Sequence, residues 1–483
     1  GQDWAVARLK TPLAARIAEE AGYPVVSPYA SAVVFLNGEY YGYMALNARI
    51  DAHFLQDLYN APERAFEIAD VGYGEIERQN TDSAEDWARM YASAEEWLRM
   101  VDLADQGLTD STIEALERFI DIDDLLFYHA FQTYIANVDW LPVNMRVWRY
   151  TGDAAANGEG LDGRWRYVIY DLDAAFRVQH TSLALAGGLR DSAAHESPFY
   201  TALLQQPRYA EEFSNHICDL AYEHFSLANV ERVIAEINKT SLQEIERTSA
   251  LYEEAMRAER GIQLAPEREN ETLLACRAEL LDFIKQRPSY ALEELRGLFG
   301  YTSMYRVTTD GTAKINTLNG NKGQYFIENS VHVTPILEKG QAFGYWLVNG
   351  EARYEEELRV SFADADENGV VHVECVAREA LPPLFFLAAY DSGDACGFTM
   401  YNPTAAIQST RGLYLSDDID NLKKWQFPDL NIRPGIVWEF VGQSSLSYDS
   451  LLKIGLNFNP RRGEVVFLSN EEGVVLDYMA VSD

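Results

Sequence analysis

Residues 137–150 read NVDWLPVNMRVWRY, and residues 164–173 read RWRYVIYDLD. These two stretches decide the reading of the fold. Each carries a short strand-like run, and a Gly/Ala/Asn-rich turn separates them, so they form a hairpin-like unit inside a helical region. Asp139 and Asn144 lie five residues apart on a short loop after a helix. A carboxylate followed at that distance by an amide is the layout of a phosphoryl-transfer loop. The carboxylate orients an attacking hydroxyl and accepts its proton. The amide oxygen coordinates a divalent cation without adding charge. A second carboxylate, at the end of the following hairpin, joins that cation to phosphate, and Asp171 stands there after the apolar run Tyr167–Tyr170. Asp173 lies two residues on, and alternation turns it to the same side if extension continues. Oxygen ligands of this kind suit Mg²⁺ or Mn²⁺. From the residues alone a plainer reading stands beside this one. Asp-x-Asp pairs at strand ends commonly face solvent, and Asn-x-Asp commonly caps a turn.

Working outward, residues 80–300 are helix-rich. Trp87, Met90, Tyr91, Ala94, Trp97 and Leu98 predict one apolar helix face. Ser111-Thr112-Ile113-Glu114 reads as a capping box, and Asp121 as the cap of a helix through Phe131 to Ile135. Helices resume from Ser197 and run to about Phe299, with Pro288 expected to interrupt the last. Residues 1–80 mix helix and strand. The spacing over residues 5–21 is helical, and Gly22 ends it. Asn37-Gly38 between Ala32–Leu36 and Tyr41–Leu46 predicts a type I′ hairpin. Beyond residue 301 the period changes to short alternating runs such as HVTPILE, VVHVECVA and GEVVFLS, the texture of β-sandwich modules. The stretch EALPPLFF (379–386) is the best internal boundary.

The chain has 483 residues, with 40 basic against 75 acidic side chains and a formal charge of −35. Such a field repels phosphate backbones, so no nucleic acid is expected as partner. No apolar run is long enough for a membrane span. The four cysteines, Cys218, Cys276, Cys375 and Cys396, are dispersed and suggest neither zinc nor a disulfide framework. No signal peptide is visible, since the chain opens in GQDWAVARLKTPLAARIAEEAG, which reads as amphipathic helix. GxSxG, HExxH and Walker A patterns are missing, which leaves hydrolase, zinc-protease and P-loop readings without support. Asp364-Ala365-Asp366-Glu367-Asn368-Gly369 starts like a calcium loop but has Cys375 at the twelfth position, so a hairpin turn is expected. His129 reads as a satisfied interior histidine, and Tyr40, Tyr41 and Tyr43 as sheet and core packing.

At these residues the chain resembles the CotH kinase family. LNGEYYGYMALNARIDAHFL (36–55), NVDWLPVNMRVWR (137–149), RWRYVIYDLDAAF (164–176) and FIKQRPSYALEELRGLFG (283–300) resemble four family segments, in order. The resemblance implies a multidomain chain: an α+β atypical protein-kinase-like domain, mostly helical, over 1–300, then two β-sandwich modules, 301–382 and 383–483. It implies ATP with Mg²⁺ or Mn²⁺ as cofactor and transfer of the γ-phosphate to Ser or Thr of a protein substrate or surface protein. Asp139 carries over as catalytic acid, Asn144 and Asp171 as nucleotide-metal ligands, and Asp173 as a second carboxylate. The implied location is extracellular, at the cell envelope or spore surface of a bacterium. Two departures stand against full activity. Ala48 occupies the position of the family's Glu in Leu46-Asn47-Ala48-Arg49-Ile50-Asp51. The family's upstream strands, with their phosphate-gripping lysine, have no counterpart. Lys10 is the only early lysine and reads as a solvated helix residue. The alternative is therefore a weak or dead pseudokinase scaffold displaying β modules. Residues from about 384 on, with LYLSDD, KWQFP, RPG and GVVLDYM, resemble a lamin-tail domain.

Overall fold

The computed structural model describes residues 9–72, 75–78, 84–137, 140, 144–152, 160–176, 198–260, 271–338, 341–379, 386–393, 395–402, 407–442, 454–471 and 473–482. It has a helical N-terminal part and a β-rich C-terminal half, a multidomain α+β chain. The chain gathers into two compact units. One comprises Gly1–Thr308, Ile315–Val331 and Val360–Val370; the other comprises Thr309–Lys314, His332–Arg359 and Val371–Asp483.

In the first unit, helix α1 (Lys10–Glu20) ends at Gly22, whose φ of 87° suits only glycine well. Lys10 is not a solvated residue: it is 5% exposed. The reason is helical phase. Lys10 shares the buried stripe of Leu13, Ala14, Ile17 and Ala18. Strands β1 (Tyr29–Leu36) and β2 (Glu39–Asn47) form the expected hairpin, with Asn37 at φ 53° and Gly38 at φ 87°. Helix α2 (Ala52–Tyr59) follows, capped by Asp51. Strands β3 (Phe66–Gly72) and β4 (Glu75–Arg78) then open a four-stranded sheet of order β4-β3-β5-β6, where β5 is Arg146–Tyr150 and β6 is Arg166–Tyr167.

Helix α3 (Ala84–Asp105) buries a different stripe from the one expected. Ser93, Trp97, Met100 and Ala104 face inward, whereas Tyr91 and Leu98 are exposed. A polar anchor sets this phase. The Ser93 hydroxyl lies 3.2 Å from the buried Glu67 carboxylate, and Trp97 packs edge-on against Trp165 and Phe199. Helix α4 (Asp110–Phe119) is capped two residues earlier than expected, by a Thr109/Thr112 box instead of Ser111.

Helix α5 (Ile122–Tyr134) is the centre of the unit, buried on every side. Its first turn is rich in charge pairs. Asp121 caps it at 3.3 Å from the Asp124 amide and receives Arg166 at 2.7 Å and Arg164 at 2.9 Å. Asp124 accepts the Tyr167 amide at 2.7 Å, which pins α5 to β6. Helices α6 (Pro198–Leu203), α7 (Pro207–Asp219), α8 (Leu227–Arg260) and α9 (Glu271–Phe299) complete the helical part. Against expectation, α9 passes through Pro288 without ending. Proline in a helix interior costs about 3 kcal/mol, but Phe283, Ile284, Arg287, Ala291 and Leu295 around it are all buried and hold the helix. Met304–Thr309 and Lys322–Phe326 pair antiparallel within the same unit.

In the second unit, Gln341–Val348 pairs with Glu351–Arg353 and with Val370–Glu379. Strands between Phe386 and Ser482 form an eight-stranded sheet with two parallel pairs, Phe386–Asp391 beside Val475–Ser482 and Val437–Val441 beside Ile454–Gly455. Phe398, Met400, Leu415, Phe440, Val466 and Leu468 fill its core. Arg378 reaches the Phe343 carbonyl and Asp477, and Tyr354 packs on Phe467, so strands on either side of residues 380–385 in sequence pack together. The Asp364–Gly369 segment is the expected turn, with Asp366 accepting the amides of Asn368 and Val370.

Candidate functional site

The site is built at the C-terminal end of α5. The last turn closes with two backbone bonds, Ala136 N–H to the Thr133 carbonyl at 3.1 Å and Asn137 N–H to the Gln132 carbonyl at 3.2 Å. That is the Schellman pattern, which needs a left-handed residue. Ala136 supplies it at φ 50°, where glycine is the usual choice. Arg287 of α9, fully buried, donates to the Tyr134 and Thr133 carbonyls at 2.7 and 2.6 Å. A cation at the negative end of the helix dipole is favourable there. Burial pushes the Arg287 guanidinium down to about 10, so it stays charged at neutral pH.

Asn137 is directed by this turn into the interior. Its Nδ2 donates to Gln132 Oε1 at 3.0 Å and to the Asp171 carbonyl at 3.5 Å. Asn137 Oδ1 and Gln132 Nε2 are buried without hydrogen-bond partners. Leaving such atoms unpaired costs about 1–3 kcal/mol each.

The other wall is the β5–β6 ribbon. Val147 faces Tyr167, the Val168 amide donates to the Arg146 carbonyl at 2.9 Å, and the Arg146 guanidinium lies 4.8 Å from the Tyr170 ring centre. Asn144 precedes β5 by two residues and Asp171 follows β6 by four, so the two flank the same end of this antiparallel pair. Asn144 is half-buried and Asp171 exposed; both adopt left-handed backbone, at φ 61° and 51°. Asn and Asp tolerate that region better than most residues. Phe176 does not, yet it sits at φ 57° with its amide on the Ile135 carbonyl at 2.8 Å. Of the eight described non-glycine residues with positive φ, four (Ala136, Asn144, Asp171 and Phe176) fall in this one region. Backbone strain of this kind concentrates at functional sites.

Asp173 is half-buried. The extended run expected through it ends at Asp171, because residues 172–175 turn back through an Ala175-to-Leu172 bond of 3.3 Å. Strand alternation therefore does not set its direction. Asp139 lies outside the described residues. His129 is fully buried, with Nδ1 on the Leu125 carbonyl at 2.8 Å and its ring stacked 4.4 Å from Tyr200. Burial holds its pKa down to about 3, so it is neutral and interior. Ala48 is exposed just past β2. Tyr43 packs inside as expected, and the Tyr40 hydroxyl is 2.9 Å from Glu244 on α8, but Tyr41 is exposed.

The candidate donors Asn144, Asp171 and Asp173 are one amide and two carboxylates, all hard oxygen groups. Among the described residues no three Asp, Glu, His or Cys side chains gather as a metal cage. A small donor set leaves positions for water and phosphate oxygens, which is how Mg²⁺ is usually held. Sequence reasoning missed Arg287 and Asn137 as parts of this site. Arg287 was visible only as one letter of an Arg-Pro pair, and Asn137 only as the start of a motif.

The family model described as CotH kinase protein matches residues 2–291. No curated protein matches the chain. Among the described residues, no helix is long and apolar enough to cross a membrane.

Proposed function

The chain belongs to the CotH kinase family, and from that membership we propose that it transfers the γ-phosphate of ATP to a Ser or Thr hydroxyl of a protein. The observation that supports this most is that Asn144 and Asp171, both in left-handed backbone, flank the same end of the antiparallel β5–β6 pair, with Asp171 tied to the α5 terminus through Asn137. Asp139 would orient the acceptor hydroxyl and take its proton. Asn144 and Asp171 would hold a divalent cation, with Asp173 as a further carboxylate. When bound, Mg²⁺ or Mn²⁺ supplies positive charge that offsets the phosphate oxygens. The protein's part is positioning and electrostatic preorganisation. The partition into a kinase-like domain over 1–300 and β-sandwich modules over 301–382 and 383–483, the last lamin-tail-like, belongs to the same reading. So does a location outside the bacterial cell or on the spore surface, with surface proteins as substrates.

The test is calorimetry with ATP and Mg²⁺ or Mn²⁺, on the chain and on its Asp171→Ala variant. Metal-dependent ATP binding that the variant loses supports the reading. No binding by the unmodified chain with either metal refutes it and leaves the scaffold alternative.

A further inference from the structure

We propose that Asn137 is a positioning residue, holding the backbone of Asp171 against the end of α5 so that the Asp171 carboxylate is presented to a divalent cation. This rests on the reading of Asp171 given above and adds to it a residue that the motif left without a role.

The argument begins with an imbalance. Asn137 is 7% exposed, its Oδ1 has no partner, and its neighbour Gln132 is buried with an unpartnered Nε2. An apolar pair of similar size would avoid both unpaired atoms at this place. Folding stability alone therefore does not account for two amides here. What the pair does is direct one N–H outward. Gln132 Oε1 fixes the Asn137 amide at 3.0 Å, and the same Nδ2 reaches the Asp171 carbonyl at 3.5 Å. Asp171 needs such a restraint, because its φ of 51° is a conformation that a free chain leaves readily. The second anchor of the segment, Phe176 N–H on the Ile135 carbonyl at 2.8 Å, comes from the same helix end. The segment 171–176 is thus held at its two ends by residues 135 and 137. Outer partners that orient a ligand typically govern metal affinity by 10–100-fold.

The experiment measures Mn²⁺ binding in the presence of ATP by electron paramagnetic resonance, on the full chain, with a melting temperature for every variant. The double variant Gln132→Met/Asn137→Leu removes the amides without leaving one of them unpaired. Its melting temperature is expected to be unchanged or higher, while Mn²⁺ affinity falls about tenfold or more. Asn137→Ser serves as the second variant if the double one does not fold, with the same expected loss. Asp171→Ala separates the two levels of the argument. If Asp171→Ala abolishes binding but folded Asn137 variants bind as the unmodified chain does, the positioning role is wrong and the site reading stands. If Asp171→Ala binds normally, or the unmodified chain does not bind Mn²⁺ with ATP, both fall.

Discussion

The two ends of helix α5 are made from similar residues and are built to opposite purposes. At the N-terminal end, carboxylates are mostly covered: Asp121 receives Arg164 and Arg166, and Asp124 receives the Tyr167 amide on one oxygen while its other oxygen is buried without a partner. At the C-terminal end, Ala136, Asp171 and Phe176 are strained, two buried amide atoms lack partners, and the Asp171 carboxylate faces solvent. One end invests in local satisfaction, which fixes the helix. The other retains strain and exposure, the features on which the proposed cation site rests. On the proposed reading, stability and chemistry are separated along a single helix, less than four turns long.

That contrast can be broken by substitution. The largest effect is expected from Asp171→Ala, which should lower phosphate transfer at least about 10³-fold in a radiolabel assay with little change in melting temperature. A large drop in melting temperature would mean that the C-terminal end is structural after all. Next comes Arg287→Met. It removes two charged hydrogen bonds, taking the Arg287 donor from the Tyr134 carbonyl and leaving the Thr133 carbonyl with the Ala136 amide alone, so urea unfolding should show a loss of about 3 kcal/mol. Because Arg287 holds the functional end from outside, this variant should lose metal binding as well as stability. Asp121→Ala is milder. Loss of the cap should cost about 1–2 kcal/mol, and metal binding should be untouched once the protein is folded. Equal damage to binding from Asp121→Ala would erase the distinction between the ends.

The smallest effect is a pH slope. Burial, only partly opposed by the Tyr167 amide, pushes the Asp124 carboxyl up to about 8. The folded chain therefore keeps a proton that the unfolded chain gives up near its ordinary value of 3.8. Stability from this group is complete below that value and is lost as pH rises toward about 8. His129, held down to about 3 by burial, acts with the opposite sign, its stability lost as pH falls from 6.5. Asp124→Asn keeps an acceptor for Tyr167 and should flatten the fall in melting temperature between pH 6.5 and 8. An unchanged slope would show that Asp124 is ionised in the folded chain.

How far the sequence could be read follows the same division. Local signals were legible: the Asn37-Gly38 turn, the Asp121 cap, the end of α9 at Phe299 and the strand runs of the C-terminal half. These depend on neighbours in the chain. Helix phase was less legible, because long-range partners decide it. Lys10 is buried by the stripe it shares with Leu13 and Ile17, and α3 is rotated by the bond from Ser93 to Glu67. Pro288 gave a strong local stop that tertiary packing overrode. At the candidate site, residue types and spacing pointed to Asn144 and Asp171, the residues on which the proposal rests. No local pattern could show that Asn137 meets the Asp171 carbonyl, or that Arg287 closes a helix more than a hundred residues earlier.

The Arg287 contact also bears on the order of events during synthesis. The residues that carry the motif leave the ribosome long before α9 does, since Arg287 lies 153 positions beyond the Tyr134 carbonyl that it covers. Until then α5 ends in exposed carbonyls, and nothing from α9 steadies the turn that aims Asn137. Loop closure over so long a span is slow relative to local helix formation. The end of α5 that carries the proposed site is therefore assembled late, after the helix itself has formed.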